Sequence, residues 1–262
     1  MFSRRRIAAL VAEFLGTGTL AFVVLTISRS QIGIPYFVAI AAGLAVAAFG
    51  VALQRDVHLN PALTIAAWTA RRIPTVKAIL FIAAQLLGGL AAYTLFKYFS
   101  RGTVQAPEVT YDSHVLVAEA VGTFVFTFIA SAMTYQKLHP LVRQIMSGAG
   151  LTIGIMVASA ASLGFVNPAV ALANNAFAWS TYVLGPVLGA IIGVNLYGLL
   201  FAPRSDSSNT ASAKPSKAST AVIEHVKEDK KAVPADRLAK VERAEKVAKA
   251  EKSRKSSKKS KR

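Results

Sequence analysis

Asn60-Pro61-Ala62 recurs in the second half of the chain as Asn167-Pro168-Ala169, and each triplet opens a short apolar segment, over 60–71 and 167–177. Asparagine is a favoured helix N-cap, and proline is favoured at the first helical position because its missing N–H would have no partner there. Each triplet therefore predicts a helix start. At 1.5 Å per residue, a helix of about 12 residues reaches only about 18 Å, too short to cross a bilayer.

Longer apolar stretches flank both segments, and there are six of them: 7–28, 35–53, 76–99, 114–135, 144–163 and 181–202. Each is close to the roughly 20 residues that cross ~30 Å of hydrocarbon as an α-helix. The first stretch lacks an Ala-x-Ala site at its end, so we expect a retained helix rather than a cleaved signal peptide. Charged residues make up only 16% of the chain, which leaves too little polar surface for a soluble fold around six buried helices.

An internal repeat relates the two halves. Ala12-Glu13-Phe14-Leu15-Gly16-Thr17 recurs as Ala118-Glu119-Ala120-Val121-Gly122-Thr123. The halves, about 7–100 and 114–202, each hold three long stretches and one short segment. Because three is an odd number, the halves must lie in the membrane with opposite topology, and discontinuous helices at matching places indicate the permeation site. We therefore expect an all-α membrane protein with six transmembrane helices and two re-entrant half-helices in an inverted repeat.

The charge is concentrated at the C-terminal end. Residues 203–262 hold 18 of the 30 Lys+Arg and 8 of the 13 Asp+Glu. We expect residues 1–202 to form the channel domain and residues 203–262 to form a basic, mostly disordered tail. Basic residues also dominate the loops on the side of the N-terminus, which places both termini in the cytoplasm. The tail then suits anionic lipid headgroups rather than nucleic acid.

These features together resemble the major intrinsic protein family, the aquaporins and aquaglyceroporins. The resemblance covers about residues 7–202. It rests on the paired triplets, the paired Ala-Glu, His58-Leu59 before the first triplet, Leu63-Thr64 after it, and Gln85-x-x-Gly88.

The resemblance implies a homotetramer in the plasma membrane with one pore in each subunit. It places the two triplets, Asn60-Pro61-Ala62 and Asn167-Pro168-Ala169, at the midplane of the pore. The half-helices would meet there N-terminus to N-terminus and repel cations, because each end carries about half a positive charge. The only acidic residues within the spans, Glu13 and Glu119, would accept hydrogen bonds from the backbone of the re-entrant loop in their own half. His58 would brace a loop or face the pore.

One departure from the family pattern concerns selectivity. The residue that follows the second triplet is normally arginine, and here it is Val170. By resemblance the other filter positions are Gly164, Ile155 and Ala42, with Ile40 as the alternative to Ala42. All are small or aliphatic. Such a filter is either wider, admitting solutes larger than water, or it dewets and conducts water poorly. Asn174 is a candidate for a substitute donor.

We therefore predict a passive channel for water or small uncharged solutes, among which water, glycerol, urea and ammonia stay open. The alternatives are a junctional or scaffolding protein with a poorly conducting pore and a secondary transporter coupled through Glu13 or Glu119. No catalytic constellation is present, so we expect no enzyme activity and no cofactor. The chain has no cysteine and four histidines, so we expect no metal site.

Overall fold

The computed structural model describes residues 3–29, 35–53, 57–102, 111–176 and 178–203, and these ranges are helical apart from short connections. The long helices are α1 (Arg4–Arg29), α2 (Pro35–Leu53), α4 (Thr75–Ser100), α5 (Ser113–Tyr135), α6 (Pro140–Ala158) and α8 (Gly185–Phe201). A π-helical turn, Ser180–Leu184, precedes α8 and continues into it. With that turn included, six helices of the described ranges are long and apolar enough to cross a membrane, as predicted.

Two short helices complete the set. They are α3 (Pro61–Thr69) and α7 (Pro168–Ala173). Both begin with a proline at the first helical position, as predicted, and both are shorter than the segments 60–71 and 167–177. The second ends early because Asn175 has a left-handed backbone, with a φ of 60°, and the Ala176 N–H bonds back to the Ala171 carbonyl.

The fifth span also differs from its predicted position, 144–163. It begins four residues earlier, at Pro140, because the His139 ring nitrogen accepts a hydrogen bond from the Leu141 N–H at 3.3 Å and caps the helix. It ends at Ala158, and residues 159–163 form turns that lead into the second re-entrant loop. Hydropathy does not register this ending, since the turns are as apolar as the helix.

The helix contacts follow the repeat. In the first half α1 packs on α4, and in the second half α5 packs on α8. Each half-helix packs against a long helix of the other half: α3 contacts α8, and α7 contacts α4. The α3 helix also contacts α4 of its own half. The packing thus interlocks the two halves around the half-helices.

Small residues allow these contacts to be close. A Cβ added at Gly89 of α4 would lie 2.5 Å from the Ala169 carbonyl oxygen at the start of α7. Gly122 and Gly154 face each other in the same way between α5 and α6. Small residues at helix contacts are typical of membrane proteins, where close van der Waals packing replaces the hydrophobic driving force. Large apolar side chains such as Leu44 and Leu199 face outward.

The first compact unit of the chain ends at Pro203. The predictions for the basic tail, including its disorder and its lipid contact, concern residues beyond Pro203 and lie outside the described ranges.

Candidate functional site

The two triplets lie next to each other in the structure. The Asn60 side chain accepts a hydrogen bond from the Ala62 N–H at 2.8 Å, and the Asn167 side chain accepts one from the Ala169 N–H at 3.0 Å. Each asparagine therefore caps its own half-helix, with extended backbone at the cap. Both side chains are buried.

Each asparagine also reaches across to the other half. The Asn60 amide donates to the Val166 carbonyl at 2.8 Å, and the Asn167 amide donates to the Leu59 carbonyl at 2.8 Å. A side-chain amide carries two N–H donors. Within the described part of the chain, the second N–H of each amide has no partner. Each asparagine therefore has one amide N–H that is not used within the described residues.

The two acceptor residues have unusual backbone conformations. Leu59 has a φ of 52° and Val166 a φ of 45°. Positive φ is uncommon outside glycine, and for a β-branched residue such as valine it is a real outlier that costs on the order of 1–3 kcal/mol. This conformation directs each carbonyl toward the asparagine of the opposite half. No sequence signal marks it, because neither residue is glycine or asparagine.

Two buried glutamates hold these strained loops. Glu13 of α1 accepts hydrogen bonds from the His58 and Leu59 N–H groups at 2.9 and 2.8 Å. Glu119 of α5 accepts them from the Phe165 and Val166 N–H groups at 2.9 and 2.7 Å. Both oxygens of each side chain are used. The two glutamates thus perform the same task in the two halves, each within its own loop.

The third hydrogen bond to each glutamate differs between the halves. In the first half the Gln85 amide of α4 donates to Glu13 at 2.7 Å and also to the Thr64 hydroxyl at 2.9 Å. In the second half the Ser162 hydroxyl donates to Glu119 at 2.7 Å. The roles of Gln85 and Ser162 were not predicted. Gln85 is visible in the sequence as a polar residue within a span, whereas Ser162 lies in a turn and has no counterpart in the repeat.

His58 lies beside the first loop rather than in a metal site. Its Nδ1 is 3.0 Å from the Thr64 hydroxyl, and its ring meets the edge of the Phe81 ring at a centroid distance of 5.7 Å. Among the described residues no group of three His, Cys, Asp or Glu side chains lies close enough to hold a metal ion.

The four residues named as filter positions line one small cavity next to Asn167. Its walls are apolar apart from the Asn167 amide and backbone groups, and they are formed by Leu20, Val24, Ala42, Leu151, Ile155, Gly164, Phe165, Asn167 and Val170. Ile40, the alternative to Ala42, instead faces outward and is 45% exposed. Asn174 is not part of the lining, because its amide donates to the Val170 carbonyl at 2.9 Å. It supplies no substitute donor there.

This cavity is narrow. The centre of a water molecule has about 10 Å³ available, roughly what one water needs. Leu20, Val24, Leu151 and Phe165 line this cavity together with Val170, so the absence of an arginine at position 170 leaves no wide opening there.

Comparison with known proteins places this arrangement in a family. The sequence model of the Major intrinsic protein family matches residues 2–197. The chain belongs to this family. Its members are channels and not enzymes, and the chain is accordingly a multi-pass membrane protein of the channel class.

Two curated relatives within the family illustrate the match. Aquaporin Z from Photorhabdus laumondii is 29% identical over 227 residues, which cover 74% of this chain and 98% of the relative. Aquaporin NIP1-1 from Oryza sativa subsp. japonica is 33% identical over 220 residues, which cover 76% of each.

A solved structure supports the fold. The aquaglyceroporin from Plasmodium falciparum superimposes with a TM-score of 0.56 at 19% identity, covering 74% of this chain and 96% of that one. At this identity the likeness bears on the fold alone.

Proposed function

We propose that the chain is a passive channel for water and small uncharged solutes, in which Asn60 and Asn167 bind the permeating molecule at the midplane. The observation that carries this proposal is the pair of amide N–H groups left unoccupied where the half-helices meet. An oxygen-bearing solute accepts both hydrogen bonds, which replaces part of the hydration it loses on entry. Two such donors also orient a water molecule, which then accepts from both amides, and this interrupts proton transfer along a file of waters.

Cation exclusion follows from the same geometry. The N–H groups in the first turn of a helix carry a positive partial charge equivalent to about half an elementary charge. Both α3 and α7 present this end to the midplane. Among the described residues, the carboxylates of Glu13 and Glu119 accept hydrogen bonds from the backbone of the re-entrant loops. The two half-helix ends contribute a positive potential at the junction, which opposes the entry of cations.

Selectivity among neutral solutes is set at the apolar cavity. No side chain in its lining other than Asn167 donates a hydrogen bond. Water passing this region loses hydrogen bonds without replacement, whereas a larger solute gains van der Waals contact with Val170 and Ile155. Leu151 and Ile155 are held there by packing alone, so a change of their rotamers can widen the cavity beyond the size of one water. We therefore propose that the channel also passes a solute larger than water, such as glycerol or urea.

The substitution Val170→Arg tests this proposal, with Val170→Ala as the matched control that removes bulk without adding charge. Arginine adds a fixed charge and five N–H donors, so we expect glycerol or urea flux to fall more than water flux. The fluxes are measured by light scattering of proteoliposomes after osmotic steps in sucrose and in each solute. A wild-type channel that passes water and rejects every larger solute contradicts the proposal. So does a well-folded Val170→Arg variant with an unchanged ratio of solute flux to water flux.

A second candidate function has support from the size of the cavity. A pore with room for about one water at its filter also suits a poorly conducting junctional or scaffolding protein. Absence of any flux in the same experiment would favour this function. A secondary transporter gains no such support, because both carboxylate oxygens of Glu13 and of Glu119 already accept hydrogen bonds from the re-entrant loops.

We further propose a homotetramer in the plasma membrane with cytoplasmic termini. The basic residues support the orientation: Arg4, Arg5, Arg6, Arg71 and Lys77 lie at the end of the bundle where α1 begins, and basic residues favour the cytoplasmic side. Protease accessibility of a C-terminal tag in sealed vesicles tests the orientation. The mass of the purified particle tests the tetramer.

A further inference from the structure

A groove outside the pore lies between the first turns of α1 and α4. Its walls are apolar, and two basic side chains stand at its rim; the lining is Arg6, Ala9, Leu10, Pro74, Val76, Lys77, Leu80 and Phe81. Its volume is about 260 Å³. We refer to it as the basic groove. It has no part in the permeation pathway described above.

Among the described residues, no carboxylate offsets the positive charge at the rim of the basic groove. The carboxylates of the described residues are those of Glu13, Asp112 and Glu119. Glu13 and Glu119 are bound by the re-entrant loops, and Asp112 caps the N-terminus of α5. None of the three pairs with Arg6 or Lys77. The Lys77 ammonium lies over the Phe81 ring, 4.8 Å from its centroid. A contact with a ring face does not use all three N–H donors of the ammonium, so donors remain for a ligand at the edge of the groove.

A second apolar cavity lies along the same pair of helices. A second cavity of about 340 Å³ lies farther along the seam of α1 and α4, between Phe14, Leu15 and Phe22 on one side and Gly88, Ala92 and Leu95 on the other. From Arg6 to Gly18 the helix rises about 18 Å. One leaflet of the hydrocarbon core is about 15 Å thick. The seam therefore has the length of a single acyl chain, with charge at one end only.

From this combination we infer that the basic groove binds an anionic phospholipid from the leaflet on the N-terminal side of the membrane. Its phosphate lies between Arg6 and Lys77, and one acyl chain follows the seam past Leu10 and Leu80. The charge selects the headgroup, because basic residues near the membrane surface attract anionic lipids. The apolar walls select a lipid over a free phosphate. The inference does not depend on which solute the pore passes.

Phe81 connects this site to the pore. It forms part of the groove wall, and its ring edge contacts His58, whose backbone N–H donates to Glu13. A lipid in the groove therefore packs against a residue that supports the first re-entrant loop. Because a ligand that binds only the native state stabilises it, the bound lipid raises the melting temperature of the channel.

The test uses the full chain, purified in a neutral detergent and titrated with dioleoylphosphatidylglycerol or with dioleoylphosphatidylcholine. Bound lipids are counted by native mass spectrometry, and melting temperatures are measured in parallel. The double variant Arg6→Gln, Lys77→Gln removes the rim charges. The matched control, Arg4→Gln with Arg5→Gln, removes two exposed charges from the same end of α1 outside the groove. Any lipid bound by the tail is common to both variants.

We expect the rim variant to bind phosphatidylglycerol at least tenfold more weakly than wild type, with a change of less than about threefold in the control. The substitution Ala9→Phe fills the groove and keeps every charge, so it should also abolish this binding and the lipid-dependent rise in melting temperature. This variant keeps the inference testable if the rim variant is unstable.

Three results would overturn the inference. Equal losses in the two double variants would show a general surface charge rather than a groove. Equal affinity for phosphatidylcholine would show that the headgroup is not selected. Displacement of the lipid by an equal concentration of water-soluble glycerophosphoglycerol would show a phosphate site without an acyl-chain groove.

Discussion

Leu59 and Val166 are the single residues at which the backbone of the site is strained. Their left-handed backbones place two carbonyl groups where Asn60 and Asn167 can donate to them. The strain is offset by hydrogen bonds to the Glu13 and Glu119 carboxylates, and bonds to a charged acceptor are roughly twice as strong as neutral ones. The glutamates and the asparagines therefore bind the same two residues, the glutamates at the backbone N–H and the asparagines at the carbonyl oxygen.

Replacing either glutamate by glutamine tests this balance. Glutamine keeps the size but turns one acceptor into a donor that faces a backbone N–H. We expect Glu13→Gln and Glu119→Gln each to lower stability by about 1–3 kcal/mol and to reduce solute flux. Thermal unfolding in detergent and proteoliposome flux are the measurements. The control is Asp112→Asn, which keeps an exposed helix cap. Unchanged stability in both glutamine variants would show that the loops do not depend on the carboxylates.

Replacing the asparagines tests the midplane itself. Asn60→Asp and Asn167→Asp keep the cap on the half-helix but replace the amide donor by an oxygen that faces the carbonyl of the opposite half. We expect lower flux of neutral solutes, and a cation leak where the new carboxylate is ionised, because the positive potential of the half-helix ends is reduced. Flux and membrane conductance are measured together. Parental values for both quantities, in variants that fold, would exclude the proposed binding site.

Residues that the repeat presents twice could be predicted from the sequence, whereas the backbone conformations around them could not. The Asn-Pro-Ala pair and the two glutamates stand out because the repeat presents each of them twice. The positive φ of Leu59 and Val166 has no such mark, since it is imposed by contacts from another helix. The narrowness of the cavity beside Val170 could not be predicted from the sequence either. Leu20 and Leu151 line this cavity, and their approach to Val170 depends on helix packing.

At the scale of helices, α4 is central because it contacts both α1 and α7. Hydropathy predicted the existence of all six spans but misplaced the ends of α6 and α7. The start of α6 is decided by the cap at His139 and the end of α7 by the left-handed backbone of Asn175, and hydropathy averaged over a window does not resolve single residues. The interlocked packing of α3 on α8 and of α7 on α4 required the structure, since no sequence pattern pairs a half-helix with a span of the other repeat.

Gly89 is the position where this interlocking is tightest. The substitution Gly89→Val would push α4 away from the Ala169 carbonyl and displace the start of α7. We expect a loss of about 1–3 kcal/mol, the usual cost of overpacking, together with reduced flux. Gly102 provides the control, because a Cβ there meets nothing closer than 3.6 Å and Gly102→Ala should be neutral. Wild-type stability and flux in Gly89→Val would show that α4 does not position α7.

At the scale of the whole molecule, every contact described for the pore comes from residues up to Pro203. Deleting residues 206–262 should therefore leave the flux per molecule unchanged, although membrane abundance can change with the loss of basic residues. The measurement compares flux normalised to the amount of inserted protein. The matched control variant keeps the length of the tail and replaces its lysines and arginines by glutamine. A truncated channel that inserts normally and no longer conducts would identify the tail as a gate.

The cross-bonded asparagines impose an order on how the protein is made. The Asn60 amide finds its acceptor on Val166, 106 residues later in the chain. At a synthesis rate of about 5–20 residues per second, that partner emerges about 5–20 s after Asn60 itself. During this interval the Asn60 amide lacks its acceptor, the Val166 carbonyl, so the first half alone cannot form this hydrogen bond. The ribosome thus delivers the two halves in sequence, and the hydrogen bonds from Asn60 to Val166 and from Asn167 to Leu59 form only after the second re-entrant loop has been made.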